Sequence, residues 1–94
     1  MSTSTTFALN GRLGGTTSTT KKKDLLALLS GDINTIDIDI SNLDYVSSAG
    51  LRVLLVAAKA AKAKGGKIVL HGPKPTILEV FKISGFDRII AIAQ

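Results

Sequence analysis

The chain has no cysteine, no tryptophan, two prolines and one histidine, and aromatic side chains make up only 4% of its 94 residues. Without cysteine, disulfide frameworks, thiolate zinc sites, iron–sulfur clusters and cysteine nucleophiles are excluded together. With His71 as the sole histidine, a metal site would need carboxylates converging on it, and the acids are spread along the chain, so no metal or other cofactor is expected. No apolar run approaches the roughly 18 residues of a membrane span. The opening residues, MSTSTTFALNGRL, lack the basic stretch, apolar core and small-residue cleavage site of a secretory signal, so the cytoplasm is the expected compartment.

Acids are scarce as well: 7 stand against 12 basic residues, a net charge of +5. That balance suits nucleic acid, anionic lipid or an acidic protein partner and does not choose among them. Nucleic acid would call for aromatic platforms or a recognition helix, whereas Phe7, Tyr45, Phe81 and Phe86 read as core, so direct nucleic-acid binding is not expected. At 9.8 kDa the chain is one domain, residues 1–94. A domain of this size buries only about two-thirds of the surface its unfolded chain exposes, which leaves little material for an enclosed active site and argues against a multi-step enzyme.

What is present is an alternation of strand and helix patterns. Residues 5–13, TTFALNGRL, read as one strand broken by Gly14 and Gly15. A short amphipathic helix follows, with Ser18 as N-cap, Leu25, Leu28 and Leu29 on one face and Gly31 as its stop. Residues 35–40, TIDIDI, alternate strictly and predict a strand with Ile36, Ile38 and Ile40 on the buried face. Leu51, Leu54, Leu55, Ala58 and Ala61 then recur at helical spacing, predicting a helix from about Ser48 to Lys64 that Gly65-Gly66 ends. KIVLH reads as an interior strand, Pro75 opens a third helix with Ile77, Leu78, Val80 and Phe81 inward and Gly85 at its end, and RIIAIA supplies a last strand. The alternation predicts an α/β fold with a mixed sheet. If Leu54 and Ala58 centre the buried face of the 48–64 helix, Arg52, Val56, Lys59, Ala60 and Ala63 lie opposite, an apolar patch with a basic edge.

Sites of chemistry are few. GGKI around Lys67 lacks the rest of a phosphate loop, and VSSAG lacks the first glycine of a nucleophile elbow, so a Ser48–His71–Asp hydrolase is not expected and His71 reads as structural. Lys21-Lys22-Lys23, placed in the first turns of the first helix, reads as a solvated charged face. The segment DYVSSAGL differs in kind. It joins a buried strand to the longest helix through two serines, where free backbone N–H groups and the positive end of the helix dipole converge. A hydroxyl there can cap the helix, or it can accept a phosphate held at the helix start, and Gly50 would let a partner's backbone approach.

The order of motifs, GRL, then DISNLDYVSSAGLRVLL, AKAKGGKIVLHGPKP and ILEVFKISGFDRII, resembles a STAS domain of the anti-sigma factor antagonist type over essentially the whole chain. The resemblance implies a STAS-like fold, a mixed sheet of four to five strands covered by three or more helices. It also implies a non-enzymatic switch protein without cofactor. Its partner would be an anti-sigma factor, usually also a serine kinase of the histidine-kinase-like ATPase fold, with a serine phosphatase reversing the modification. The family's D-S-x-G motif places the phosphoacceptor on Ser48 and the glycine on Gly50, while its acid falls on Ser47. A second departure is Gly14, where an acid commonly follows GRL, and a third is the lysine run in a helix that is often acidic early on. The partner surface expected from this reading is Ser47, Ser48, Gly50, Arg52, Val56 and Lys59, binding when Ser48 is unmodified and releasing when it carries phosphate. The alternatives are a STAS subunit of a transporter or lipid-trafficking complex, and a binding module that works without phosphorylation.

Overall fold

The computed structural model describes residues 4–93. Strand β1 (Ser4–Ala8) and strand β2 (Gly11–Leu13) precede helix α1 (Gly15–Leu28), strands β3 (Thr35–Asp39) and β4 (Leu43–Val46), and helix α2 (Ser48–Ala63). Strand β5 (Lys67–His71), helix α3 (Pro75–Ile83), a 3-10 turn (Phe86–Arg88) and strand β6 (Ala91–Ala93) complete the chain. The main sheet has the order β1-β3-β5-β6, and β2 pairs with β4 in a second, two-stranded sheet.

The α/β class is as the sequence predicts, but every pairing among the described residues is parallel, so the sheet is not mixed. The reason is in the connections. Each step from one main-sheet strand to its neighbour passes through a helix, and a crossover of that kind returns the chain in the same direction. The predicted single strand 5–13 is two strands. Leu9 N–H donates to the Asp39 carbonyl and Gly11 N–H to the Asn42 carbonyl, so the first segment leaves the main sheet where β3 does and the two continue together as β2 and β4. Gly11 turns that corner at φ 71°, in the left-handed region.

Register puts Ile36 beside Ile68 and Ile38 beside Leu70, and all four are buried on the face that carries the helices. The alternate residues Thr6, Ala8 and Asp39 are exposed, so the opposite face of the sheet lies open. On that face His71 Nε2 meets Asp37 Oδ1 at 2.9 Å across β5 and β3, a structural use of the lone histidine. Phe81 and Phe86 are buried with ring centroids 5.6 Å apart. Tyr45, expected in the core, is instead 45% exposed and carries the Arg12 guanidinium 4.5 Å above its ring.

Helix α1 starts earlier than predicted. Gly14 is its N-cap in extended backbone, Gly14 N–H donates to Thr17 Oγ1 at 3.0 Å, and Ser18 is buried inside the helix with its hydroxyl returned to the Gly15 carbonyl at 2.7 Å. Lys21, Lys22 and Lys23 are therefore mid-helix and away from the unfavourable end of the dipole; Lys21 sits 5.5 Å from the Phe7 ring. Helix α2 has nearly its predicted span, but its buried residues are Gly50, Val53, Leu54, Ala57 and Ala61. Leu51, Leu55 and Ala58 are half-buried, which rotates the inward face by about 60° from the prediction.

Both ends of α2 are tied to earlier chain. At its C-terminal end Lys64 Nζ donates to the carbonyls of Leu29, of Gly31 at 2.6 Å and of Ile33 at 2.7 Å, closing the loop that follows α1. Gly66 passes so near Asn34 that an added Cβ would lie 1.6 Å from its carbonyl oxygen. Helix α3 opens on Pro75, whose fixed φ suits a first helical turn, and Gly85 at φ 75° follows its cap, Ser84.

Candidate functional site

Leu13 at the end of β2 pairs with Val46 at the end of β4, and a helix begins just beyond each, at Gly15 and at Ser48. Two helix N-termini therefore open side by side, and neither has an acid in its first turn. Their combined field favours an anion, each by about 0.3–1 kcal/mol when exposed.

The two serines at the start of α2 divide the work. Ser47 is the N-cap: its Oγ accepts from Gly50 N–H at 3.1 Å and donates to the Leu13 carbonyl at 3.4 Å, and its N–H donates to the same carbonyl at 2.9 Å. Ser48 is the first helical residue and is exposed, and among the described residues its hydroxyl has no hydrogen-bond partner. The fold needs the first hydroxyl and leaves the second to solvent.

Close backbone packing fixes this arrangement. A Cβ on Gly50 would lie 2.5 Å from the Leu13 carbonyl oxygen, so the glycine faces inward and is buried. The expectation that Gly50 opens room for a partner's backbone is corrected: the backbone that approaches it is the chain's own β2. A Cβ on Gly14 would lie 2.8 Å from Ser47 Oγ. Gly14 and Ser47, two of the positions that depart from the acidic pattern the resemblance implies, thus touch each other, and an acid at either would meet the helix start of the other.

The remaining predicted residues separate into two groups. Arg52 and Val56 line a groove between α1 and α2 of about 160 Å³, together with Ala49, Val53 and, from α1, Ser18, Thr19 and Lys22. Arg52 is one turn from Ser48 on the same outward stripe. Lys59 shares that stripe but lies about 16 Å along the helix, on a different groove. The α1 contribution of Thr19 and Lys22 is not legible in the sequence because it arises from the packing of α1 beside α2. The stacked Arg12 and Tyr45 stand in register on β2 and β4, and Asp44 is occupied by an ion pair with Lys74.

Away from this site, the Ser41 hydroxyl and N–H donate to the Asp39 carboxylate at 2.7 and 3.0 Å. These bonds, with a smaller contribution from His71, hold that carboxyl below the usual carboxylate range. No cluster of three or more potential metal ligands occurs among the described residues, and no described helix is long and apolar enough to cross a membrane.

Comparison with known proteins agrees with this geometry. Residues 2–94 match the model of the STAS domain. The BtrV protein of Bordetella bronchiseptica, an anti-sigma factor antagonist by name, is 38% identical over 86 residues, which cover 92% of this chain and 74% of that protein. Among solved structures, the anti-sigma factor antagonist SpoIIAA in its unphosphorylated form superposes with a TM-score of 0.82 at 25% identity, over 97% of this chain and 80% of that one. A Thermotoga maritima protein of the same fold reaches a TM-score of 0.90 at 23% identity, over 97% of this chain and 79% of that one. With its parallel sheet, its paired helix starts and a family match across nearly every residue, the chain belongs to the STAS domain family, alongside the anti-sigma factor antagonists.

Proposed function

We propose that this STAS domain is an anti-sigma factor antagonist of the partner-switching kind: it binds an anti-sigma factor while Ser48 is unmodified and lets go when Ser48 carries phosphate. The observation that carries the reading is the division between the two serines. Ser47 caps α2, so Ser48 is an exposed hydroxyl on a rigid helix start with no structural duty, and two helix N-termini with no neighbouring acid receive the charge. Around it, Arg52, Val56, Ala49 and Lys22 form a shallow groove with apolar walls and a basic rim, suited to the surface of a folded protein partner.

The energetics fit a switch. A hundred- to thousandfold loss of affinity needs about 3–4 kcal/mol. Burying a phosphate dianion against a partner surface that offers it no cation costs several kcal/mol, and the helix ends return only a fraction of that. Phosphate at Ser48 is thus tolerated by the domain itself and opposed by the interface. A kinase reads the neighbours of the acceptor as well as its hydroxyl, and here those neighbours are Ser47 and Gly14 in place of acids. The kinase partner that fits is one whose acceptor pocket does not depend on them.

The test is titration calorimetry of the domain with a purified anti-sigma factor kinase. Wild type and Ser48→Ala bind alike, Ser48→Asp binds at least about a hundredfold more weakly, and only the wild type gains one phosphate by mass spectrometry when ATP is added. Equal binding by Ser48→Asp and wild type overturns the proposal.

A further inference from the structure

The flank of α2 turned away from α1 carries a second recess. Ala58, two residues beyond Val56 and so on the opposite side of the helix, forms one wall with Lys62, and Ile89 after the 3-10 turn forms the other. Ile68 and Ala91, from β5 and β6, bound one half of it, a groove of about 330 Å³, and Lys59 and Arg88 border a companion depression of about 350 Å³ that shares Ala58, Lys62 and Ile89. Helix α1 packs along the other flank of α2, while α3 packs against β4 and the 3-10 turn. The helical layer thus leaves a gap beside the C-terminal half of α2, with Ile89 60% exposed at its edge.

Among the described residues, the charged groups that line this gap have one sign. Lys59, Lys62, Lys67 and Arg88 are exposed, and among the described residues none of them forms an ion pair and no carboxylate lines either depression. An aliphatic floor inside a ring of unpaired cations is complementary to a segment with apolar residues on one side and carboxylates on the other. The shape narrows the choice further. A bilayer takes up protruding apolar residues, whereas this surface is recessed. Single-stranded nucleic acid stacks on aromatic rings, and the lining holds none.

We propose that the C-terminal half of α2, with β6 and the turn before it, is a second docking surface for an acidic amphipathic protein segment. That segment lays an aliphatic or aromatic side chain against Ala58, Ile68 and Ile89 and pairs its carboxylates with the four surrounding cations. Lys59 belongs to this surface. Because it lies about 16 Å along α2 from Ser48, the surface operates whether or not the phosphoacceptor reading holds, and a partner can occupy both sites at once.

The experiment uses the full chain and a fluorescent synthetic helical peptide with leucines at i, i+3, i+4 and i+7 and glutamates elsewhere. Controls are its scrambled form and vesicles of phosphatidylcholine with phosphatidylglycerol. The expected result is saturable binding that weakens with added salt, amide shifts centred on Ala58, Ile68 and Ile89, and a loss of at least about tenfold in affinity for Lys59→Glu/Arg88→Glu. Ile89→Ser weakens binding as well, and Ser48→Asp leaves it unchanged. Both charge changes are at exposed positions, so circular dichroism is expected to match wild type; should the pair fail to fold, Lys59→Gln/Arg88→Gln carries the same comparison. Equal binding of the scrambled peptide, equal affinity of the double variant, displacement of the peptide by vesicles, or loss of peptide binding in Ser48→Asp would each overturn the proposal.

Discussion

The two ends of α2 are anchored by the same device and present opposite chemistry. At the N-terminal end Gly50 lies against the Leu13 carbonyl; at the C-terminal end Gly66 lies against the Asn34 carbonyl, and in both places the missing Cβ lets helix-flanking chain touch the backbone of an earlier strand or loop. Around Gly50 the exposed group is a hydroxyl between helix starts. Around Gly66 it is a ring of cations at the helix end, where positive charge is favoured by the dipole. Anchoring and display are therefore separate tasks along one helix. The residues that hold α2 in place (Ser47, Gly50, Lys64, Gly66) cluster at its two ends, and those the fold can spare (Ser48, Arg52, Lys59, Lys62) lie among and between them.

That separation predicts a graded series. Gly66→Ala is expected to be the most damaging, at about 3 kcal/mol, since its Cβ would meet backbone at 1.6 Å and the β5 entry must move; chemical denaturation measures it. Gly50→Ala follows at about 2 kcal/mol, because the clash with Leu13 at 2.5 Å is softened by the better helix propensity of alanine. If Gly50→Ala proved the costlier of the two, the N-terminal end would be the stiffer anchor and the comparison would reverse. Lys64→Met removes a charged donor from three carbonyls and is expected to cost about 1.5 kcal/mol, with hydrogen exchange quickening in the 29–33 loop and not at β2. Ser47→Ala loses the cap, about 1 kcal/mol, while Ser48→Ala stays within about 0.5 kcal/mol of wild type in thermal melts. Equal losses from the two serines would mean that they share the capping role and that the Ser48 hydroxyl is not spare.

Much of this frame is legible in the residues. The strict alternation at Ile36, Ile38 and Ile40 gives the central strand, the apolar spacing from Leu51 to Ala61 gives the long helix, and Pro75 with Gly85 brackets the third. The signals that mislead are local ones overruled by distant partners. Ser-Thr-Thr before a lysine run looks like a cap, yet Gly14-Gly15 starts α1 because the β2–β4 pairing delivers the chain there. The division of labour between Ser47 and Ser48 turns on the position of the Leu13 carbonyl, 34 residues earlier, and no spacing within VSSAG contains it. The inward face of α2 is likewise set by what lies beside it: α1 packs against the Val53 flank, and among the described residues no helix covers the Ala58 flank, so Leu51, Leu55 and Ala58 are half-buried. Ser48, the proposed acceptor, is readable from the motif, and Arg52 from the helical spacing of α2. The α1 side of the groove and the relocation of Lys59 need the third dimension.

The exposed, unoccupied hydroxyl of Ser48 has a practical corollary in a chain that contains no cysteine. Ser48→Cys would install the molecule's lone thiol at a helix N-terminus, a setting that lowers a thiol's pKa and quickens its alkylation. Neutral, anionic or bulky groups could then be attached at that one atom after purification, turning a genetic substitution series into a chemical dial on a single folded sample.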